Sequence, residues 1–182
     1  TAGLMMGFMM KNEKDRLTIN INGGGPIGTI LAVSDNLGHV KGYVDNPHVD
    51  LELKENGKLN VGGAVGTQGK LTVMMDIGMK EPYVGSTDLV TGEIGEDLAL
   101  YYYLSEQQNT AVALGVLVDT DYSIKSAGGF MVQTLPFIED EDLDKLENAL
   151  GNIKSVSDYF DNDKDIEKIA KEIFSISLSL SK

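Results

Sequence analysis

The sequence predicts a β-rich α+β domain with a C-terminal helical tail. Three observations carry that prediction. Leu17, Ile19 and Ile21 alternate with Thr18, Asn20 and Asn22, and other stretches repeat the pattern. Between about Ile94 and Ser105 the apolar residues recur at helical spacing instead. After Pro136, leucines and isoleucines fall on one helix face within an acidic background. With 182 residues, 42% of them apolar, the chain is long enough to bury the core of one ordinary domain.

Thr1 to Met10 has the character of the final turns of a helix, carrying Met5, Met6, Met9 and Met10 and no capping signal ahead of it. Apolar residues all round this helix favour a core position over a methionine-rich binding face. Arg16 to Asn22 is a half-buried strand, and Ile27 to Val33, apolar on both faces, suggests a central one. Asp35-Asn36-Leu37-Gly38 turns the chain into a strand from His39 to Asp45. Leu51 and Leu53 alternate with charges, and Asn56-Gly57 is a hairpin signal before Leu59 and Val61. Further strands are expected at Leu71 to Met75, Ala111 to Val118 and Ile124 to Leu135.

In the helix between them, Ile94, Leu98, Tyr101, Tyr102 and Ser105 share one side. Glu93, Glu96 and Asp97 complement the positive end of its dipole on what the pattern makes an exposed helix start. In the tail, Leu143, Leu146, Leu150 and Ile153 form one helix stripe, and Ile166, Ile169, Ala170, Ile173 and Phe174 another. Tyr159 to Asp165 is the expected hinge between them, and Ser175 to Leu180 alternates like a short strand.

Composition excludes several function classes. A net charge of −13 opposes nucleic-acid binding. No apolar run approaches the roughly 20 residues of a membrane span, so Gly3-x-x-x-Gly7 carries no transmembrane meaning. No lysine- or arginine-led signal peptide precedes it, so a cytoplasmic setting is expected. Without cysteine the chain forms neither disulfides nor thiolate zinc sites, and His39 and His48 alone make a poor metal set.

No catalytic constellation emerges. Gly23 to Gly28 satisfies G-x-G-x-x-G, but a strand follows where a phosphate-binding helix is needed. Gly62 to Lys70 is close to a P-loop, yet Leu71 stands where Ser or Thr should hold magnesium, which leaves a loop between strands. An enzyme domain binding a nucleotide or small molecule through these loops is the alternative reading. The favoured one is a binding surface. In Ala111 to Val118 and Ala127 to Leu135 both faces are apolar and need a cover, either removable or permanent. The candidate residues are Val112, Leu114, Val116, Phe130 and Val132, with Leu143 and Leu146 of the tail.

Five collinear blocks point to a family. They are Gly25-Pro26-Ile27-Gly28; Gly42-Tyr43-Val44-x-Asn46-Pro47; Ala64-Val65-Gly66-Thr67; Gly92 to Asp97 with Ser105-Glu106-Gln107; and Ala127 to Gln133. Together, over about Leu4 to Ile153, they resemble the N-terminal domain of the bacterial heat shock protein 33 family of redox-regulated holdase chaperones. That resemblance implies helices sandwiched between two mainly antiparallel β-sheets, with a C-terminal helical tail. It implies an ATP-independent holdase, not an enzyme, that binds unfolding client proteins through apolar surface during oxidative stress. It also implies a cysteine-zinc module that switches activity by releasing a helical linker. Here the module's four thiolates are missing, so no cofactor is expected in this chain and zinc only in the full-length protein. Leu143 to Ile153 and Ile166 to Phe174 resemble the start of that linker; alternatively the first belongs to the core domain, and the resemblance then implies a core domain over residues 1–153 and the start of a helical linker over 154–182. The family's first strand is missing too, which would leave a sheet edge open to homodimerisation by strand or domain exchange.

Overall fold

The computed structural model describes residues 1–134, together with 138, 139, 141, 144, 146, 150 and 156. The chain divides into two compact units, Thr1–Val112 and Ala113–Lys182. The expected linker boundary at 153/154, the hinge, the second tail helix and the closing strand lie outside the described residues. Glu141, Asp144, Leu146, Leu150 and Val156 are helical.

In the first unit, strands β1 (Arg16–Asn22), β2 (Ile30–Ser34), β3 (Val40–Val44), β4 (Lys70–Asp76) and β5 (Tyr83–Asp88) form one sheet. Their order is β3-β2-β1-β4-β5, and every neighbouring pair is antiparallel. Period-two alternation explains the burial: Leu17, Ile19 and Ile21 of β1 point to the covered face, beside Leu71 and Val73 of β4. All five are at most 4% exposed, and each such side chain contributes about 1.5–3 kcal/mol through burial.

Two helices cover that face. Helix α1 (Ala2–Phe8) reaches β2 through its glycines. A Cβ on Gly3 would sit 3.4 Å from Ala32 Cβ, and one on Gly7 only 2.5 Å from the Asp35 carbonyl oxygen. The Ser34 hydroxyl donates to Gly3 O at 2.6 Å, so Gly3-x-x-x-Gly7 is a helix-on-sheet contact. Met6 is buried as expected, but Met9 is 46% exposed. Helix α3 (Ile94–Leu104) lies against β4 and β5. Its Leu98 and Tyr101 are buried, and the ring of Tyr101 meets that of Tyr102 edge-on at 5.6 Å.

Four expectations need correction. β2 begins only at Ile30, because Ile27 and Gly28 complete a turn in which Gly28 N donates to Gly25 O at 3.1 Å. It is flanked by β1 and the edge strand β3, and most of its residues are half-buried. Asn56-Gly57 does turn, with Lys54 N donating to Lys58 O at 2.8 Å, but no strands flank it. Val61 instead opens a short helix, α2 (Val61–Val65), capped by Asn60 Oδ1 on Gly63 N at 2.9 Å. The second glycine run is therefore part helix, not wholly a loop. Finally, β5 was not foreseen, since Tyr83-Val-Gly-Ser-Thr-Asp has too few apolar residues to show its alternation.

Strands β6 (Thr110–Val118) and β7 (Ile124–Gln133) make a separate two-stranded sheet. A short loop joins them: Asp119 N donates to Ser123 O at 2.8 Å, and Tyr122 N to Asp119 O at 3.0 Å. Tyr122 takes the left-handed conformation, at φ 65°, that such a hairpin requires.

Candidate functional site

The β6–β7 hairpin carries most of the apolar candidates. Alternation puts Val112, Leu114 and Val116 on one face of β6, and Phe130 and Val132 on one face of β7. Within β6 only Thr110 is buried; Val116 is 52% exposed and the other candidates are half-buried. Ile124 and Tyr122 extend the apolar surface to the tip. Leu146 is buried, and Leu143 lies outside the described residues. At the tip, Asp119 accepts from Thr120 N at 2.7 Å and approaches Lys125 Nζ at 3.3 Å, while Asp121 accepts from Ser123 N at 2.9 Å and its hydroxyl at 2.6 Å. The Thr120 amide above all holds the Asp119 carboxyl below the usual carboxylate range, as the Ser123 hydroxyl does for Asp121.

Sequence reasoning missed a second apolar surface. The register puts Leu31, Val33, Met74 and Val84 on the sheet face opposite the buried one, with Tyr43 beside Leu31. Leu31, Val33 and Met74 are half-buried, Tyr43 is 59% exposed and Val84 55%. The alternation of β2 was the available signal, obscured because Ile27 to Val33 carries apolar residues on both faces.

The glycine runs hold each other rather than a ligand. Gly25 N donates to Val65 O at 2.9 Å, Ile27 N to Ala64 O at 3.1 Å and Gln68 N to Gly23 O at 2.8 Å. Gly24 N is given to Asn22 Oδ1 and Gly66 N to Gly62 O. A Cβ on Gly23 would lie 2.1 Å from Gly66 O, so only glycine permits this backbone contact. A phosphate loop needs these amides free.

The carboxylates also tie the chain to itself. Asp97, expected on an exposed helix start, is 1% exposed. It accepts from Val90 N at 2.9 Å, Gly92 N at 2.8 Å and Thr91 N at 3.3 Å. Glu93 Oε1 binds Gly62 N at 2.9 Å and the Lys54 ammonium. The Tyr101 hydroxyl donates to Glu106, and burial first, then Glu106, drives that phenol's pKa upward. His39 Nδ1 lies 3.0 Å from Asp35 Oδ2, and His48 is held through its backbone N–H by Asn46.

A family model described as "Hsp33 protein" matches residues 1–180. The chain belongs to the Hsp33 family. It is 53% identical over 173 residues to a "33 kDa chaperonin" of Alkaliphilus oremlandii, covering 95% of this chain and 58% of that protein. A relative of the same name in Caldanaerobacter subterraneus is 53% identical over 174 residues, 96% of this chain and 59% of that protein. The crystal structure of the 33 kDa chaperonin, a heat shock protein 33 homologue, from Thermotoga maritima superposes with a TM-score of 0.84 at 40% identity. That match covers 94% of this chain and 60% of the other. The chain thus spans somewhat over half the length of the relatives it matches.

In Hsp33 terms, the blocks that signalled the family are the joints of this fold. Gly25 to Gly28 and Ala64 to Thr67 are the two interlocked loops, and Gly92 to Asp97 is the buried carboxylate with its amides. Ser105-Glu106 anchors Tyr101, and Ala127 to Gln133 lies in β7. The fold is the α+β arrangement the resemblance implied, with two antiparallel sheets and helices. Among the described residues no helix is long and apolar enough to cross a membrane. No group of three or more His, Cys, Asp and Glu among them could hold a metal ion.

Proposed function

We propose that this Hsp33-family chain is the client-binding part of an ATP-independent holdase chaperone. One observation carries the reading: β6, nine residues long and almost wholly apolar, buries only its terminal Thr110. Partly covered apolar strands of this kind offer non-directional contacts to unfolded chains of any sequence. Names that relatives carry, 33 kDa chaperonin, support a chaperone. In this reading the chain works by surface and not as an enzyme, in a cytoplasmic setting and without nucleic-acid or membrane partners.

Redox control belongs to the same proposal. A cysteine-zinc module that responds to oxidation would have to supply its thiolates from outside this chain, which contains no cysteine. The described residues do not fit a zinc ion, and no step of client capture here passes through one.

The test is light scattering from a thermally unfolding client mixed with the 182-residue chain, without oxidant or ATP. The chain should suppress aggregation, and Val116→Asp, at a position already 52% exposed, should weaken suppression while leaving the fold intact. A folded wild-type chain that suppresses nothing would refute the proposal for this part of the protein. The alternative, a nucleotide- or small-molecule-binding domain, draws no support from the interlocked glycine loops. It predicts nucleotide-dependent thermal stabilisation, about 2.7 kcal/mol at 100 times Kd.

A further inference from the structure

Two asparagines of the chain precede a glycine, Asn22 and Asn56. That dipeptide carries its own chemistry. Glycine has no Cβ to shield its backbone nitrogen, which can attack the carboxamide carbon of the asparagine before it. The fold puts the two pairs in opposite surroundings. Asn22 ends β1 opposite Lys70 of β4. Its Nδ2 donates to the Thr29 hydroxyl at 3.1 Å, and its Oδ1 accepts from Gly24 N at 3.1 Å. Gly23 is buried, its carbonyl accepts from Gln68 N at 2.8 Å, and a Cβ on it would lie 2.1 Å from Gly66 O. On the other side, a Cβ on Gly69 would lie 2.0 Å from Asn22 O. Closing a ring between Gly23 N and Asn22 Cγ rotates the peptide plane that joins them. That rotation would break the interlocked loops and the end of the β1–β4 ladder.

Asn56-Gly57 has none of these restraints. It lies in the connection between β3 and α2, and Glu55 to Lys58 are all exposed. Gly57 sits at φ 76°, and a Cβ on it would meet nothing within 4 Å. Its turn is closed by three local bonds: Lys54 N to Lys58 O at 2.8 Å, Gly57 N to Lys54 O at 2.8 Å and Lys58 N to Asn56 Oδ1 at 3.1 Å. Exposed turns without buried contacts open locally at low free energy, which frees both Gly57 N and the carboxamide. The Asn56 Nδ2, the group that has to leave, donates to nothing among the described residues, whereas that of Asn22 is tied to Thr29.

We propose that Asn56 is a self-modification site, converted to aspartyl and isoaspartyl in the folded chain while Asn22 survives. Gly57 N gives its proton to hydroxide and bonds to Asn56 Cγ. The Cγ–Nδ2 bond then breaks, and ammonia leaves with a proton taken from water. Water opens the resulting succinimide at either carbonyl. In the balance one water is consumed, one ammonium is released and one carboxylate is gained, which takes the net charge from −13 to −14. No co-reactant besides water is needed. When the ring opens at the backbone carbonyl, the chain continues through Cβ and Cγ of residue 56, with one more bond inside the Lys54–Lys58 turn. The three turn bonds cannot all survive that insertion. Lys54, at one end of the turn, is also the residue whose ammonium binds Glu93, and Glu93 accepts from Gly62 N at the start of α2. The modification therefore acts on the tie between this connection and Glu93.

The experiment incubates the folded 182-residue chain at mildly alkaline pH and follows it by peptide mapping with mass spectrometry. The peptide holding Asn56 should gain the mass of an amide-to-acid change and split into two isomers, the isoaspartyl form in excess. Isoelectric focusing should show one new acidic band. The peptide holding Asn22 should stay unchanged. In urea both asparagines should convert at similar rates, which assigns the protection of Asn22 to the fold and not to its neighbours in sequence. Asn56→Gln, at an exposed position, should fold normally and give no acidic band. The proposal is overturned if Asn56 stays intact in the folded chain while converting in urea, or if Asn22 converts as fast as Asn56 without denaturant. A product that is aspartyl alone would exclude the ring and overturn it too. Client suppression is a separate readout, so this site and the holdase reading stand or fall independently.

Discussion

Replacing Asp97 by alanine should cost far more than a surface carboxylate is worth. The side chain is 1% exposed and satisfies Val90 N at 2.9 Å and Gly92 N at 2.8 Å, with Thr91 N more distant at 3.3 Å. Alanine leaves at least the two short donors without an acceptor, each costing about 1–3 kcal/mol when buried. A total of about 2–6 kcal/mol follows, against a typical domain stability of about 5–15 kcal/mol. Were Asp97 only complementing a helix dipole at the surface, the cost would be about 0.3–1 kcal/mol and would shrink with salt. Urea unfolding followed by circular dichroism separates the two, and at about 2–4 °C per kcal/mol the melting temperature should fall by on the order of 10 °C. Asp97→Asn keeps one acceptor oxygen and should fall between. A loss below about 1 kcal/mol for Asp97→Ala, on the dipole scale, would show that the amides of Val90 and Gly92 do not depend on this carboxylate.

Gly7→Ala should destabilise by about 1–3 kcal/mol in thermal unfolding, since its Cβ would lie 2.5 Å from the Asp35 carbonyl oxygen. Gly3→Ala meets Ala32 Cβ at 3.4 Å and gains helix propensity, so it should be neutral or mildly stabilising. Equal effects at the two sites would refute the packing of α1 on β2. Alkaline titration at 295 nm should show Tyr101 and Tyr102 ionising above the ordinary phenol range, so that Phe at either position removes absorbance only from the late part of the curve. Burial, then Glu106, raises Tyr102 to about 12 and moves Tyr101 in the same direction. Because both folded values exceed the ordinary value near 10, their stabilising contribution is whole below about pH 10 and is lost as pH rises through the folded values. Loss of the early part of the curve in Tyr101→Phe or Tyr102→Phe would contradict that environment.

What could be read from the sequence was whatever one residue's spacing to the next determines. Arg16 to Asn22 was recognisable because one face of β1 is buried and the other is not, so alternation was clean. The helix at Ile94 was recognisable for the same reason at a different period. β5 escaped because the residues it buries are Gly85 and Thr87 rather than large apolar ones. Gly85 must be small, since a Cβ there would lie 2.5 Å from Ser105 Oγ and 2.7 Å from the Tyr101 hydroxyl. That constraint comes from partners far along the chain, and no local pattern contains it. Asp97 was misplaced on similar grounds: spacing locates a carboxylate at a helix start, but not the loop that folds over it. For the candidate surface, alternation identified β6 and β7, whereas Tyr43, Met74 and Val84 share a face only through strand pairing.

The distribution of burial bears on where a client could bind. In Thr1–Val112 the covered sheet face holds Leu17, Ile19, Ile21, Leu71 and Val73, and the interlocked glycine loops and the Asp97 carboxylate fasten the connections around it. Displacing any of these to admit a client would forfeit about 1.5–3 kcal/mol of burial per side chain together with satisfied backbone bonds. β6 and β7 ask for no such sacrifice. Their apolar side chains are already part-exposed, and apart from Thr110 and Gly128 nothing in them is buried. Regions with few buried contacts open at lower free energy, and binding surfaces are drawn from that end of the stability range. On the holdase proposal, a strand that is almost wholly apolar yet buries one residue in nine is therefore where an apolar client segment would dock at least cost.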